Sequence, residues 1–362
     1  MSFGLIKRFK DLRKTPEDGV KKTFSRHVII GHDLGAILKL VELRKDNLAE
    51  HVRLISNKPL SQKSIWEDYQ NSVSLIRSET GVEAIYKKFY NAKILPQTNT
   101  PVFYKDGKFH DFNGRAKSME LLKNEMFFTN KGYEYFVESF FSPEDWKGLD
   151  ELLKTSQDMK IFESITKTEP SDLVEKEEWS LTFKDFTELG AENLYVSISP
   201  NKFLNLISNK NDLEAELIDF CSSTESIAAL NVSFELSKDF GQPSQTLLLP
   251  QSMTHEWGHF IVEFHEKRCN VLFLIHDEEP QAEDLGSKIK LLKRVMERVF
   301  PEFEKSIKGE TIRFDSEMFI QGVRNERLLE VIKKYPSLEF LGQSKLVDVS
   351  LSSEQYLTRT LI

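Results

Sequence analysis

Only two of the 362 residues are cysteine, Cys221 and Cys269, and no CxxC pairs them. Neither a disulfide framework nor a thiolate zinc site follows from that usage, so two reduced, mostly buried thiols in a cytoplasmic protein are expected. Long apolar runs are also missing. Stretches such as Leu247–Leu249 and Val271–Ile275 stop far short of the roughly 20 residues that cross a bilayer. The opening MSFGLIKRFKDLRK interleaves apolar residues with charges and lacks the apolar core of a secretory signal, so export by that route is not expected. An excess of basic charge is absent: the net charge is -8, which offers phosphates no general attraction and excludes nucleic acid as an expected partner. Internal repeats and low-complexity linkers are lacking as well.

What remains is an ordinary globular composition, 40% hydrophobic with 16 Gly and 12 Pro, which excludes collagen-like and largely disordered chains. The length exceeds what one core usually serves, so two domains, or one split by insertions, are expected. Charge is uneven. Residues 1–26 carry eight basic side chains against Asp11, Glu17 and Asp18. Phe3, Ile6, Phe9 and Leu12 give this arm an amphipathic face for peripheral contact with an anionic membrane or a partner. A solvated helical arm folded on the acidic body is the other reading.

His27-Val28-Ile29-Ile30 is a short β-branched run, Gly31-His32-Asp33-Leu34-Gly35-Ala36 a glycine turn, and Ile37–Leu43 an apolar-periodic stretch. With the second apolar run at 52–55 this reads as a β-α-β unit of parallel strands with a right-handed crossover. Residues 60–95 are mostly helical in pattern, Asp106-Gly107 closes a hairpin, and the aromatic-rich 116–160 reads as helical. Leu194–Ile198 is a strand that enters a helix through Ser199-Pro200. Four strands follow, at 228–236, 246–249, 259–264 and 270–276; successive strands of this kind belong to an antiparallel sheet. A long amphipathic helix with Leu285, Ile289, Leu292, Met296 and Val299 on one face precedes Pro301. The chain closes with a strand at 338–343 and a short helix at 352–362.

A strand ending in glycine and opening a helix presents backbone N–H groups and a helix N-terminus to a pyrophosphate. The order of the Gly31 turn, the Asp106-Gly107 hairpin, the strand-Pro-helix, the antiparallel run, the long helix and the closing Leu341-Gly342 strand resembles the flavin-dependent superfamily of amine oxidases and protoporphyrinogen oxidases. UDP-galactopyranose mutases and the flavin-free Rab GDP-dissociation inhibitors are similar in layout. The resemblance covers 27–362 and rests on layout more than on identities. In the family's Gly-x-Gly-x-x-Gly fingerprint the first glycine falls at Gly31, the second at Asp33 and the third at Ala36, with Gly35 as an extra glycine; the acidic residue that holds the adenosine ribose falls at Ser56, and the closing Gly-Asp/Glu at Gly342-Gln343, beside Ser344. Three cofactor determinants have therefore changed. A carboxylate at Asp33 beside a phosphate would cost up to a few kcal/mol at an effective dielectric of about 20, which a cation such as Lys58 or a protonated His32 would offset.

The resemblance implies an α/β Rossmann-like FAD/NAD(P)-binding domain, built from 27–95, 185–215 and 330–362. Into it an α+β substrate domain with an antiparallel sheet, 96–184 and 216–329, is inserted. Its implied function is that of an FAD-dependent oxidoreductase-like protein with a degraded cofactor grip, acting on a small molecule that the sequence does not identify. The alternative is a flavin-free binding or scaffolding module, with no cofactor, in which Gly31 and Gly35 only pack helix on strand.

A competing motif is His255-Glu256-Trp257-Gly258-His259 with His265 beyond it. As HExxH on a helix it would set two imidazoles one turn apart for zinc, with Glu256 activating a metal-bound water, the chemistry of a zinc metallopeptidase. That reading needs a helix through 255–265. The β-branched and aromatic Phe260–Phe264, a polar break and then Val271–Ile275 read better as a hairpin, which leaves no metal site.

Overall fold

A computed structural model describes residues 21–32, 34–46, 48, 51–70, 75–78, 94–97, 102–111, 133–137, 143–168, 176–243, 245–251, 259–275, 282–321 and 333–341. In chain order the elements are β1 (Lys22–Ile30), α1 (Leu34–Lys45), β2 (Val52–Ser56), α2 (Gln62–Gln70), β3 (Leu75–Ser78), β4 (Ile94–Gln97), β5 (Val102–Lys105), β6 (Lys108–Asp111) and β7 (Tyr133–Val137). Next come α3 (Pro143–Ser156), β8 (Gln157–Met159), β9 (Phe162–Lys167), β10 (Trp179–Phe183), β11 (Glu188–Val196), α4 (Pro200–Leu206) and α5 (Ala215–Ser222). The remainder is β12 (Glu225–Leu236), β13 (Leu247–Pro250), β14 (His259–His265), β15 (Arg268–Ile275), α6 (Ala282–Val299), α7 (Phe303–Ser306), β16 (Ile307–Gln321) and β17 (Leu338–Phe340).

The first sheet has a parallel core in the order β8-β2-β1-β11-β17. Val28, Ile29 and Ile30 are wholly buried, as a parallel strand covered on both faces requires. On one face Ile37, Leu40 and Val41 of α1 and Leu149, Leu152 and Leu153 of α3 pack against Ile29 and Leu54. On the other, Val28, Ile30 and Val196 meet Trp179 and Leu181 of β10, Phe203 of α4 and Phe220 of α5. Each fully buried large aliphatic side chain stabilises the fold by about 1.5–3 kcal/mol. The long β11 serves two partners: its first half pairs antiparallel with β10, which carries β9, and its second half pairs parallel with β17.

The second sheet runs β16-β12-β15-β14-β13-β5-β6, antiparallel except where β13 meets β5. Phe234, Phe264 and Phe273 on one face pack against Leu292 and Met296 of α6, Phe303 of α7 and Phe300 between the two helices. A third sheet orders β3-β7-β4, all antiparallel.

The expected β-α-β unit, the Asp106-Gly107 hairpin, the strand-Pro-helix, the four successive strands, the long helix and the closing strand are all present. Other expectations need correction. Residues 22–26 are not part of an arm: they extend β1, pairing with 188–191, and Lys22 Nζ reaches Glu177 Oε1 at 2.8 Å. Residues 1–20 lie outside the described residues. Within 60–95, Leu75–Ser78 and Ile94–Gln97 are strands. Within 116–160, Tyr133–Val137 is a strand, because alternating Tyr, Tyr and Val suit a pleated surface better than a helix. Gln157–Met159, Phe162–Lys167 and Trp179–Phe183, grouped above largely with the substrate region, form β8–β10 of the first sheet. Trp179, Leu181 and Phe183 are buried and alternate with half-buried Ser180 and Thr182, which makes β10 half of a two-layer core. The closing helix at 352–362 lies outside the described residues.

Candidate dinucleotide cleft

The chain leaves β1 towards β2 and β8 on one side and later returns to β11 and β17 on the other. The strand order therefore reverses between β1 and β11, and ligands of open parallel sheets bind at the carboxyl ends of the strands at such a point. Two backbone hydrogen bonds close this end: Ser197 N donates to Ile30 O at 2.8 Å, and Gly31 N donates to Ile55 O at 3.0 Å. Gly31 lies between them with φ +129°, in the region that favours glycine. A Cβ there would stand 2.8 Å from the Ser197 Cβ. Gly31 thus permits the turn and the contact of β1 with the β11 end, and α1 starts three residues later. Gly35 is buried and Ala36 is wholly so, as close packing of helix on strand demands. His32 is half-buried. Asp33 lies outside the described residues.

The end of β2 is built differently. Ser56 is 2% exposed. Its Oγ donates to the Lys58 carbonyl at 2.6 Å and accepts from Gln157 Nε2 at 2.5 Å. Gln157 Nε2 also donates to the Lys58 carbonyl at 2.8 Å, and its Oε1 accepts from Leu60 N at 3.1 Å. Lys160 N donates to Ser56 O at 3.0 Å. The Ser56 hydroxyl is committed within the protein, so it supplies nothing like a carboxylate facing a ribose diol. Measured against FAD, the Gly31 turn leaves a helix N-terminus at the strand reversal, and no acidic residue from His51 to Trp66 offers the β2 end a carboxylate for an adenosine ribose.

At the closing strand, Leu341 N donates to Val196 O at 2.7 Å, which brings the chain to the carboxyl end of β11 just before Gly342. Gly342, Gln343 and Ser344 themselves lie outside the described residues. Sequence reading missed Gln157 and Ser197. Gln157 is one polar residue after a helix, and only the β2–β8 register, Leu54↔Gln157, puts it over Ser56.

Beneath the turn, a polar cluster ties α1 to the sheet. His27 Nδ1 lies 3.1 Å from Tyr195 Oη, and Lys39 Nζ stands 4.7 Å from the centroid of the Tyr195 ring. Lys39 also pairs with Glu339 at 3.1 Å and Glu42 at 3.2 Å. Burial works to lower the Lys39 pKa, but the two carboxylates outweigh it and raise it. Burial, with Arg26 adding to it, lowers that of His27, whose Nε2 is buried without a partner.

The zinc reading does not hold where the structure describes it. His259–His265 is a strand paired with β13 and β15, so no helix spans 255–265. At about 3.3 Å per residue, a strand carries residues 259 and 265 about 20 Å apart. His255 and Glu256 lie outside the described residues. His265 Nε2 sits 3.3 Å from Glu263 Oε2. Burial raises the pKa of both cysteine thiols, with Glu263 adding to the effect at Cys269, which disfavours the nucleophilic thiolate.

No family model and no curated protein matches the sequence. Solved structures do. An oxidoreductase from Methanosarcina mazei superposes with a TM-score of 0.56 at 11% identity, over 92% of this chain and 99% of that one. Putrescine oxidase bound to putrescine gives 0.54 at 9%, over 94% and 98%. A CLA-producing fatty acid isomerase from P. acnes gives 0.54 at 9%, over 93% and 99%. At these identities the likeness is one of fold, and it spans nearly the whole chain. The architecture is a mixed α/β fold with a parallel-cored, Rossmann-like first sheet, shared with those three structures. Among the described residues no helix is long and apolar enough to cross a membrane.

Two predictions follow from the turn and the cluster below it. Gly31→Ala destabilises by about 3 kcal/mol in urea unfolding, because positive φ and a displaced Ser197 add together. Gly107→Ala, with positive φ but open space around it, costs about 1 kcal/mol; equal costs would refute the Ser197 contact. The lowered pKa of His27 means the folded state prefers it neutral. The unfolded chain therefore takes up the proton first as pH falls through about 6.5. Stability is fully present above that pH and declines below it until the folded pKa is passed. Melting temperatures between pH 7.5 and 5.5 should fall more steeply for the wild type than for His27→Gln; parallel curves would contradict this.

Proposed function

We propose that the chain is a dinucleotide-dependent oxidoreductase acting on a small molecule, with the pyrophosphate held at the backbone of Gly31–Ala36 and the N-terminus of α1. The observation that supports this most is the Gly31 turn at the point where the strand order reverses. Twelve residues of α1 direct the positive end of their dipole there, which favours an anion by about 0.3–1 kcal/mol when exposed and more when shielded. FAD is the cofactor that the resemblance of the sequence layout implies. When bound, a flavin supplies the redox chemistry, and the protein supplies binding, orientation and exclusion of water. In this reading Gly342–Ser344 approach the flavin end, and the division into a nucleotide region and a substrate region follows the first and second sheets.

A flavin-free binding module on the same fold is the second reading, and the committed Ser56 hydroxyl favours it. The two separate on the purified native protein. The oxidoreductase reading expects an adenine dinucleotide to be released on denaturation, or to be taken up stoichiometrically when added, with visible flavin absorbance if it is FAD. A protein that releases none and takes up none contradicts it.

A further inference from the structure

Two adjoining turns at one corner of the first sheet leave apolar side chains uncovered. Met159 at the end of β8 is 61% exposed, Ile161 just after it 58%, and Phe186 in the turn from β10 to β11 57%. The turns are tied together. Lys184 N donates to Ile161 O at 3.0 Å, and Lys160, between Met159 and Ile161, pairs with Asp185 and donates to Thr187 Oγ1 at 3.2 Å. Single exposed apolar residues are ordinary on a surface, whereas three grouped on neighbouring turns form a patch of the kind that marks an interaction site.

Phe186 adds a second observation. Its φ is +61°, in the left-handed region that glycine and asparagine enter easily and a bulky side chain does not. The turn itself has no need of an aromatic ring, and the ring is mostly exposed, so its burial does little to offset that strain. A contact that covers the ring would.

The chain itself supplies such a contact. Glu188 N donates to Lys21 O at 3.1 Å, so residues 1–20 join the described structure beside Glu188, two residues beyond Phe186. Phe3, Ile6, Phe9 and Leu12 recur at i, i+3 spacing, which sets them on one side of a helix. Pro16 and Gly19 lie between that run and Lys21, and the six residues 15–20 reach up to about 20 Å, enough for the run to fold back. The charges agree in sign. Residues 1–14 carry five basic side chains against Asp11, a balance of +4, while Asp158, Glu163, Asp185 and Glu188 against Lys160 and Lys184 give the two turns -2.

We propose that the corner formed by Met159, Ile161 and Phe186 is the docking surface for the chain's own N-terminal segment, with Phe3, Ile6, Phe9 and Leu12 as the face that covers it. The tether makes the contact intramolecular, so a small apolar area suffices where a separate peptide would dissociate. Lys160 N holds the Ser56 carbonyl at 3.0 Å, so the docked segment borders the carboxyl end of β2. The docking does not depend on whether a dinucleotide binds there.

Limited trypsin digestion of the full chain, with mass spectrometry of the peptides from 1–14, tests this. The five basic residues of the segment are the cleavage sites, and when cleavage is slow relative to reclosing its rate follows the open population. Loss of one large apolar side chain from the contact raises that population about 10-fold. Phe9→Asp and Phe186→Asn should therefore each speed cleavage within 1–14 about 10-fold, and the double variant little more than either alone. Asparagine suits the left-handed backbone at 186, so Phe186→Asn does not act by unfolding, and a cooperative thermal melt checks that it folds. Phe314→Asn, at a residue 41% exposed on β16, should leave the rate unchanged. Cleavage in the wild type already as fast as in Phe9→Asp, or slow cleavage that survives Phe186→Asn, overturns the proposal. So does protection that rises with protein concentration, which assigns the surface to a second copy, or protection that needs anionic phospholipid vesicles, which assigns it to a membrane.

Discussion

The approach of Gly31 to Ser197 is the constraint on which the rest of the cleft depends. With no Cβ at Gly31, the carboxyl ends of β1 and β11 close to hydrogen-bonding distance, and Ile55 on β2 binds the same turn from the other side. Three strands thus converge on one residue. The turn directs α1 back over the sheet, where Ile37 and Leu40 bury against Ile29 and Leu54, and it leaves the helix N-terminus at the reversal point. A side chain at Gly31 would displace Ser197, and with it the entry to Pro200 and α4.

Much of this architecture is legible in the residues. Val28-Ile29-Ile30 could only be a strand buried on both faces, and the period from Ile37 to Leu43 could only be a helix covering it. The Ser199-Pro200 start of α4 is equally plain: Ser199 Oγ accepts from Lys202 N and Pro200 occupies the first helical position. The failures have physical causes. β8 is three residues of polar sequence stabilised by its neighbour β2, and β16 carries Gly309 and charges along a strand whose reason for extending is the length of β12 beside it. Tertiary pairing overrides local propensity at both.

The site is only partly legible. Gly31, Gly35 and Ala36 announce a tight turn, but their spacing says nothing of Ser197, 166 positions away. Ser56 is visible as a missing carboxylate. That its hydroxyl is already spent, and that Gln157 clamps the loop, follow from a strand register that no motif encodes. The helix through 255–265 that the zinc reading needs fails at its described part, 259–265, for a related reason. That reading assumes 3.6 residues per turn, and the β-branched and aromatic residues of β14, paired between β13 and β15, have a period of two.

The central claim is that a dinucleotide occupies the carboxyl ends of β1 and β2. Backbone hydrogen–deuterium exchange, followed by mass spectrometry with and without saturating FAD, tests it most directly. The account predicts slowed exchange in peptides covering 31–39 and 56–60, with the hairpin at 259–275 unchanged. Protection confined to the second sheet, or none in the two cleft peptides at saturation, would contradict it.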